Sequence, residues 1–123
     1  MAKKALFAPL LLLALFVAVA AAEPDISGSW EVKVTPRIGG GESTFTLDLL
    51  QNTDNTISGK YDCNCPARRV IGPIKGSIAG ATAILERANV AYSFFTLTFA
   101  GNKLVGEYRG RDGLTYDAVG TRR

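Results

Sequence analysis

Two stretches of the chain, FTLDLLQNTDNTISGKY at residues 45–61 and FTLTFAGNKLVGEY at residues 95–108, follow the same pattern. They align once three residues are removed from the turn of the first stretch, so that Phe45 matches Phe95. In both, apolar and polar residues alternate on either side of a short turn, which is typical of a half-buried antiparallel hairpin. Whether the two copies are related or convergent, they predict a fold built from consecutive β-hairpins.

The same alternation continues along the rest of the chain from Ile26 onward, and no segment has the period of a normal helix. The pair Gly72-Pro73 predicts that the first half of its strand is edge-like or bulged, because proline cannot donate to a ladder. Turn residues between the apolar runs divide the chain into eight strands, at residues 27–34, 43–51, 56–62, 70–78, 81–87, 91–100, 103–109 and 114–121.

Eight short antiparallel strands must protect their edges, and closure into a barrel does this. The mid-strand glycines Gly59, Gly76 and Gly106 fit the tight coiling of a narrow barrel. We therefore predict an all-β, eight-stranded antiparallel up-and-down (meander) barrel. A two-sheet sandwich is the alternative architecture.

Residues 1–22 have the features of a secretory signal peptide, with Lys3 and Lys4 before an apolar run and small alanines at the expected cleavage point. Cleavage before Glu23 leaves one domain at residues 23–123. The apolar run is short for a spanning helix, and no cysteine follows the cleavage point to carry a lipid. We expect an exported protein, periplasmic or extracellular, with no stable membrane anchor.

The composition argues against catalysis and nucleic-acid binding. The chain has 14 Lys and Arg against 11 Asp and Glu, and two of the lysines leave with the signal peptide, so 12 remain against 11. This balance gives no concentrated basic face for a phosphate backbone. The chain has no histidine, and no nucleophile motif or carboxylate pair is evident. We expect a non-catalytic protein without a metal or other cofactor.

The connections between strands differ at the two ends of the predicted barrel. One end takes short turns and both chain termini, whereas the other end, the mouth, takes longer loops rich in glycine and arginine. Binding residues commonly lie on such loops. Aromatic and cationic residues near the mouth are the candidate ligand-binding residues: Phe45, Tyr61, Arg68, Arg69, Tyr108, Arg111 and Tyr116.

Two interpretations of these residues stay open. Six arginines and four carboxylates lie near the mouth, so the rim is either a solvated network of ion pairs or a cationic entrance that favours a carboxylate or other anionic group. The aromatic residues either line a shallow pocket or fill the interior, as side chains do in small barrels.

The stretch YDCNCPARR at residues 61–69 holds the only two cysteines, Cys63 and Cys65. A metal site would need more ligands than this chain supplies nearby, and no helix is predicted that could activate a thiolate. An oxidising compartment favours a disulfide. We expect a local Cys63–Cys65 bridge that stiffens the loop, with an intermolecular bridge as the next alternative.

The stretch SGSW places Gly28 and Trp30 in a G-x-W motif, and Arg122 lies near the end of the last predicted strand. This combination resembles the signature of the calycin barrels (lipocalins, fatty-acid-binding proteins and avidins), and the overall rhythm is similar to small exported bacterial proteins with such barrels. The resemblance implies that Trp30 closes the bottom of the barrel, that Arg122 or Arg123 stacks on it, and that the scaffold binds ligands. The chain departs from avidins in having one tryptophan, and from lipocalins in lacking an early helix.

The leading functional hypothesis is a non-catalytic exported barrel that binds a small, partly apolar ligand at its loop end, where the arginines favour an anionic group. The alternative is a protein-binding module, such as an inhibitor of a secreted hydrolase, that presents the same loops to its partner.

Overall fold

A computed structural model describes residues 24–90 and 92–123, and it confirms the predicted closed, eight-stranded antiparallel barrel. Each strand pairs with the next along the chain, and the eighth pairs with the first. The sandwich alternative is therefore wrong. The predicted signal peptide lies outside the described residues, among which no helix is long and apolar enough to cross a membrane. The strands are β1 Gly28–Pro36, β2 Ser43–Gln51, β3 Thr56–Asn64, β4 Arg69–Ala79, β5 Thr82–Arg87, β6 Phe94–Ala100, β7 Lys103–Arg109 and β8 Thr115–Arg122.

Strand β6 differs most from its predicted bounds, since it begins at Phe94 and not at residue 91. The backbone turns just before it, where the Val90 N–H donates to the Arg87 carbonyl and Tyr92 has a φ of 59°. The predicted edge character of β4 also has a structural basis. Pairing between β4 and β5 begins only at Ile74, so Pro73 has a register partner only in β3, while its carbonyl accepts from the Ala88 N–H just after β5.

The barrel interior is filled with side chains along its length. Alternate residues of the strands point inward and are at most a few per cent exposed, which places the hydrophobic core inside the barrel. The core residues on strands are Trp30, Val32, Val34, Phe45, Leu47, Leu49, Ile57, Tyr61, Cys63, Ile74, Ile78, Ala83, Leu85, Phe95, Leu97, Phe99, Leu104, Tyr108 and Ala118.

The closed end of the barrel is built around Trp30. Its indole N–H donates to the Ile26 carbonyl at 2.9 Å, and the guanidinium carbon of Arg122 lies 4.4 Å from the ring centroid. Arg122 also donates to the carbonyls of Ser27 at 2.5 Å and Asp25 at 2.9 Å. Gly28 completes the arrangement, because its φ is +127° and a Cβ there would lie 3.0 Å from the Arg122 side chain. The cation and its hydrogen bonds thus tie the entering chain to the last strand.

Three inward-facing glycines allow the sheet to coil into a narrow barrel. A Cβ at Gly59, Gly76 or Gly106 would overlap a backbone carbonyl oxygen of the adjacent strand. The carbonyl oxygens concerned belong to Asp48, Ile84 and Thr96, each of which precedes the residue that pairs with the glycine. The strands can approach this closely only where the side chain is absent.

Replacing one of these glycines should therefore destabilise the barrel. We expect Gly106→Ala to lower the free energy of unfolding by about 2–3 kcal/mol, because the new methyl group forces β6 and β7 apart. Urea denaturation followed by tryptophan emission measures this change.

The matched control is Gly101→Asn, in the turn between the same two strands. Gly101 has a φ of +60° and a Cβ there meets nothing within 4 Å, and asparagine tolerates that backbone conformation. Its effect should stay below about 1 kcal/mol, the small cost expected when asparagine takes a positive φ in open space. Equal losses in the two variants would contradict the steric explanation.

Candidate functional site

A cavity of about 420 Å³ opens at the mouth of the barrel, within the size range of small-molecule sites. It is bounded below by the ends of strands and at the sides by loops. Most of its lining is apolar or backbone, and the polar side chains are few: Val34, Pro36, Ile38, Gly39, Gly40, Gly41, Ser43, Phe45, Cys65, Pro66, Arg87, Tyr108, Leu114 and Tyr116.

Arg87 is the central polar group of this cavity. It is the last residue of β5, where it follows the inward positions of Ala83 and Leu85. Its Nη1 donates to the Tyr108 hydroxyl at 2.9 Å and its Nη2 to the Tyr61 hydroxyl at 3.0 Å. The guanidinium also lies 4.5 Å from the centroid of the Tyr61 ring. The strand end thus holds a cation against the aromatic floor of the mouth.

The guanidinium of Arg87 retains hydrogen-bonding capacity. A guanidinium has five N–H groups, and Arg87 uses one on each terminal nitrogen. Its Nε is buried and has no hydrogen-bond partner among the described residues, and no carboxylate there forms an ion pair with Arg87. Burial works against the charged form, but the hydrogen bonds to Tyr61 and Tyr108 outweigh it and hold the pKa of Arg87 above its usual value. The site therefore carries an uncompensated positive charge.

The two tyrosines that support Arg87 are themselves held by neighbours on the loop between β5 and β6. Tyr61 donates to the Asn89 side-chain oxygen at 2.7 Å, and the Tyr108 hydroxyl lies 2.5 Å from the hydroxyl of the buried Ser93. With its proton donated to Asn89, the Tyr61 oxygen presents its lone pairs to Arg87. The loop thereby fixes the position of the guanidinium.

A third tyrosine, Tyr116 of β8, lines the cavity beside its cross-strand neighbour Tyr108. Its hydroxyl donates to the Asp112 carboxylate at 3.1 Å, and its ring centroid is 5.8 Å from that of Tyr108. Burial, with a further contribution from Asp112, raises the pKa of Tyr116 above its usual range. The hydroxyl stays protonated at neutral pH, so Tyr116 adds a neutral polar group to the mainly apolar lining.

The roof of the cavity consists of two loops in contact. Pro66 lies against Gly41, where a Cβ would come within 3.2 Å of the proline ring. Cys65, the residue before Pro66, forms a disulfide with the buried Cys63 of β3. The bridge therefore anchors one half of the roof to the barrel core. Among residues 24–90 and 92–123, no group of three or more His, Cys, Asp or Glu side chains is arranged to hold a metal.

The structure places the predicted ligand-binding residues in three different settings. Phe45, Tyr108 and Tyr116 line the cavity, and Tyr61 lies beneath it as a buried partner of Arg87. Arg111 lines an adjoining shallow hollow with Tyr108 and Tyr116.

The remaining two arginines do not line the cavity. Arg69 forms a two-pronged ion pair with Asp62 on the outer surface, at 2.5 and 2.9 Å. Arg68 is exposed and lines none of the described cavities. For Arg69 the solvated ion-pair interpretation of the rim therefore holds, as it does for Arg37, which pairs with Glu107 and Asp117.

The ligand-binding residues predicted from the sequence do not include Arg87. Its signal was present in the alternation of β5, where Ala83, Leu85 and Arg87 share one face. Arg68 and Arg69 lie in or next to a loop, where the alternation gives no such guide. Ser93 and Asn89 had no sequence signal, because their roles depend on contacts with Tyr108 and Tyr61 across the fold.

Comparisons with known proteins agree with the fold and name no family. No protein-family model matches the chain, and no curated protein matches it either. A similar solved structure is described as the de novo design of a fluorescence-activating β-barrel. It has a TM-score of 0.66 and 18% sequence identity, over 84% of this chain and 98% of that chain. At this identity the likeness supports the eight-stranded barrel architecture alone, and the resemblance to calycins stays a prediction.

Reduction of the disulfide should loosen the roof and leave the barrel folded. Only Asn64 separates Cys63 from Cys65, so the bridge constrains little of the unfolded chain. We expect faster amide hydrogen exchange at residues 65–68 on reduction. The emission of Trp30, which lies at the opposite end, should not change.

The double variant Cys63→Ala, Cys65→Ala serves as the control for the reductant, and it should show the same local effect without treatment. Loss of the folded tryptophan spectrum on reduction would contradict this prediction.

Proposed function

We propose that this protein is an exported, non-catalytic barrel that binds a small, partly apolar molecule at its mouth and receives the anionic group of that molecule at Arg87. Export is supported by the signal-peptide pattern of residues 1–22 and by the disulfide, which suits an oxidising compartment. We also propose a calycin-like relationship, which is supported by the packing of Arg122 on Trp30 beside Gly28.

The observation that carries the proposal is the unpaired charge of Arg87 inside the cavity. Other arginines at this end, such as Arg37 and Arg69, are paired with carboxylates. Arg87 has only neutral hydroxyl partners and keeps three unused N–H groups, one of them buried. A buried donor without a partner costs about 1–3 kcal/mol. A ligand carboxylate would balance the charge and accept from the free N–H groups of the two terminal nitrogens.

The walls of the cavity define the rest of the ligand. Val34, Pro36, Ile38 and Leu114 present hydrocarbon to the space above Arg87, which favours an apolar body attached to the anionic group. The structural neighbour is described as fluorescence-activating. That description concerns the neighbour, and small-molecule binding by this chain is our own proposal.

The test compares an acid with its neutral analogue. Phenylbutanoate should bind the parent protein about ten- to a hundredfold more tightly than its uncharged amide, because only the acid makes a charge-assisted hydrogen bond to Arg87. In Arg87→Gln this preference should disappear. Isothermal titration calorimetry or NMR titration measures both affinities.

Two further variants serve as controls. Arg68→Gln removes the same charge from the same end of the barrel but outside the cavity, and it should change the affinity less than about twofold, since exposed charges are screened. Arg87→Lys keeps the charge and loses the fork geometry, so it should show an intermediate affinity. Trp30 emission verifies that each variant is folded. Equal affinity of the acid for Arg87→Gln and for the parent protein would refute the proposal.

The second candidate is a protein-binding module, and exposed apolar side chains at the tips of the mouth loops support it. Ile38 is 92% exposed, Tyr92 is 78% exposed and Leu114 is 57% exposed, each on a different loop. Apolar and aromatic side chains of this kind commonly anchor protein partners.

Tyr92 separates the two candidates, because it does not line the cavity. Its φ of 59° suits asparagine, so Tyr92→Asn should keep the loop conformation. Under the second candidate, native mass spectrometry should show a stoichiometric protein complex that Tyr92→Asn weakens while phenylbutanoate binding stays unchanged. A complex that survives in Tyr92→Asn would count against the second candidate.

A further inference from the structure

We infer that the mouth accepts a carboxylate of limited length, which enters with its anionic group first and leaves its apolar end at the rim. This inference rests on the proposed function and specifies the ligand class. It follows from the floor of the cavity, the order of polar and apolar groups along its depth, and its size.

The floor of the cavity is closed by aromatic rings. The centroid of Phe45 lies 5.0 Å from that of Phe95 and 5.3 Å from that of Tyr108, and the Phe95 and Tyr108 centroids are 4.6 Å apart. Below them, Leu47 and Leu97 are fully buried. A chain cannot extend past these side chains without displacing the core, so the ligand stays above them.

The charged group lies at the floor, and exposed apolar side chains of the loops lie at the rim. Arg87 contacts the floor, since its guanidinium lies 5.8 Å from the Phe45 centroid and bonds the Tyr108 hydroxyl. Ile38 and Leu114, by contrast, belong to the loops and are largely exposed. An amphiphile therefore matches the cavity in one orientation, with its charge inside and its hydrocarbon outward.

The charge of the lining limits the charge of the ligand. Among the described residues that line the cavity, Arg87 is the only charged one. One guanidinium compensates one negative charge, and a second charge on the ligand would stay desolvated without a partner. The site therefore favours a monoanion, and the fork of free N–H groups on Arg87 suits a carboxylate.

The volume limits the length of the ligand. About 420 Å³ is available, and at ~30 Å³ for each water-sized group this holds about fourteen non-hydrogen atoms. In a straight-chain carboxylic acid, this number is reached near dodecanoate. Longer chains would place their added methylene groups in solvent.

The experiment is a titration of the whole mature protein with straight-chain alkanoates from butanoate to hexadecanoate, below their aggregation concentrations. We expect the affinity to rise up to about fourfold for each added methylene and to become constant beyond about dodecanoate. A rise that continues to hexadecanoate would overturn the inference, because it would mean that the interior opens. An affinity independent of length from butanoate onward would overturn it as well.

The orientation is tested with branched acids of equal size. A tert-butyl group at the far end of the chain should be tolerated, whereas the same group on the carbon beside the carboxylate should weaken binding more than tenfold. The reverse order would overturn head-first entry.

The same titration of Arg87→Gln distinguishes a failure of the proposed function from a failure of the length limit. If the variant binds every alkanoate as the parent does, the proposed function fails. If it weakens all of them but no plateau exists, only the length limit fails. Arg68→Gln should reproduce the parent curve in either case.

Discussion

The close approach of neighbouring strands at the inward-facing glycines is the constraint on which the rest of this structure depends. At Gly59, Gly76 and Gly106 the backbone of the adjacent strand occupies the space of a side chain. A fourth position, Gly120, follows the same rule more loosely, with the Glu31 carbonyl oxygen 2.7 Å from a Cβ there. Such positions occur in four strand pairs around the barrel, so close strand approach narrows the barrel all the way round.

A barrel this narrow has no room for a ligand inside, and binding is left to its mouth. The core side chains fill the interior from Trp30 at one end to the Phe45, Phe95 and Tyr108 rings at the other. Hydrophobic burial therefore stabilises the fold, while the cation of Arg87 lies where the filled core ends. Because Tyr61 and Tyr108 are core residues whose hydroxyls reach the mouth, the same side chains contribute to packing and hold the candidate site.

The sequence determined the fold more fully than the site. Alternation and turn residues suffice to predict the strands, because each residue's polarity indicates whether its side chain faces the core or the solvent. The pairing of charges is different, since Arg37 finds its carboxylates 70 and 80 residues away. Composition alone cannot separate Arg69, which is neutralised by Asp62, from Arg87, which is not. Only the inward position of Arg87 in β5 distinguishes it, and the roles of Ser93 and Asn89 become visible only in three dimensions.

The contacts of Arg122 and Arg123 also bring the last described residues next to the first ones. Arg122 bonds the Asp25 carbonyl, and the Arg123 N–H donates to the Ser29 carbonyl at 2.9 Å, so the two ends of the described chain meet beside Trp30. Because every strand pairs only with its sequence neighbours, including β8 with β1, no strand is topologically first. A circular permutant that joins these ends and opens at Gly101 would keep all eight pairings and all four mouth loops. The architecture thus specifies a cyclic order of strands, and the cavity does not depend on which closed-end turn carries the chain termini.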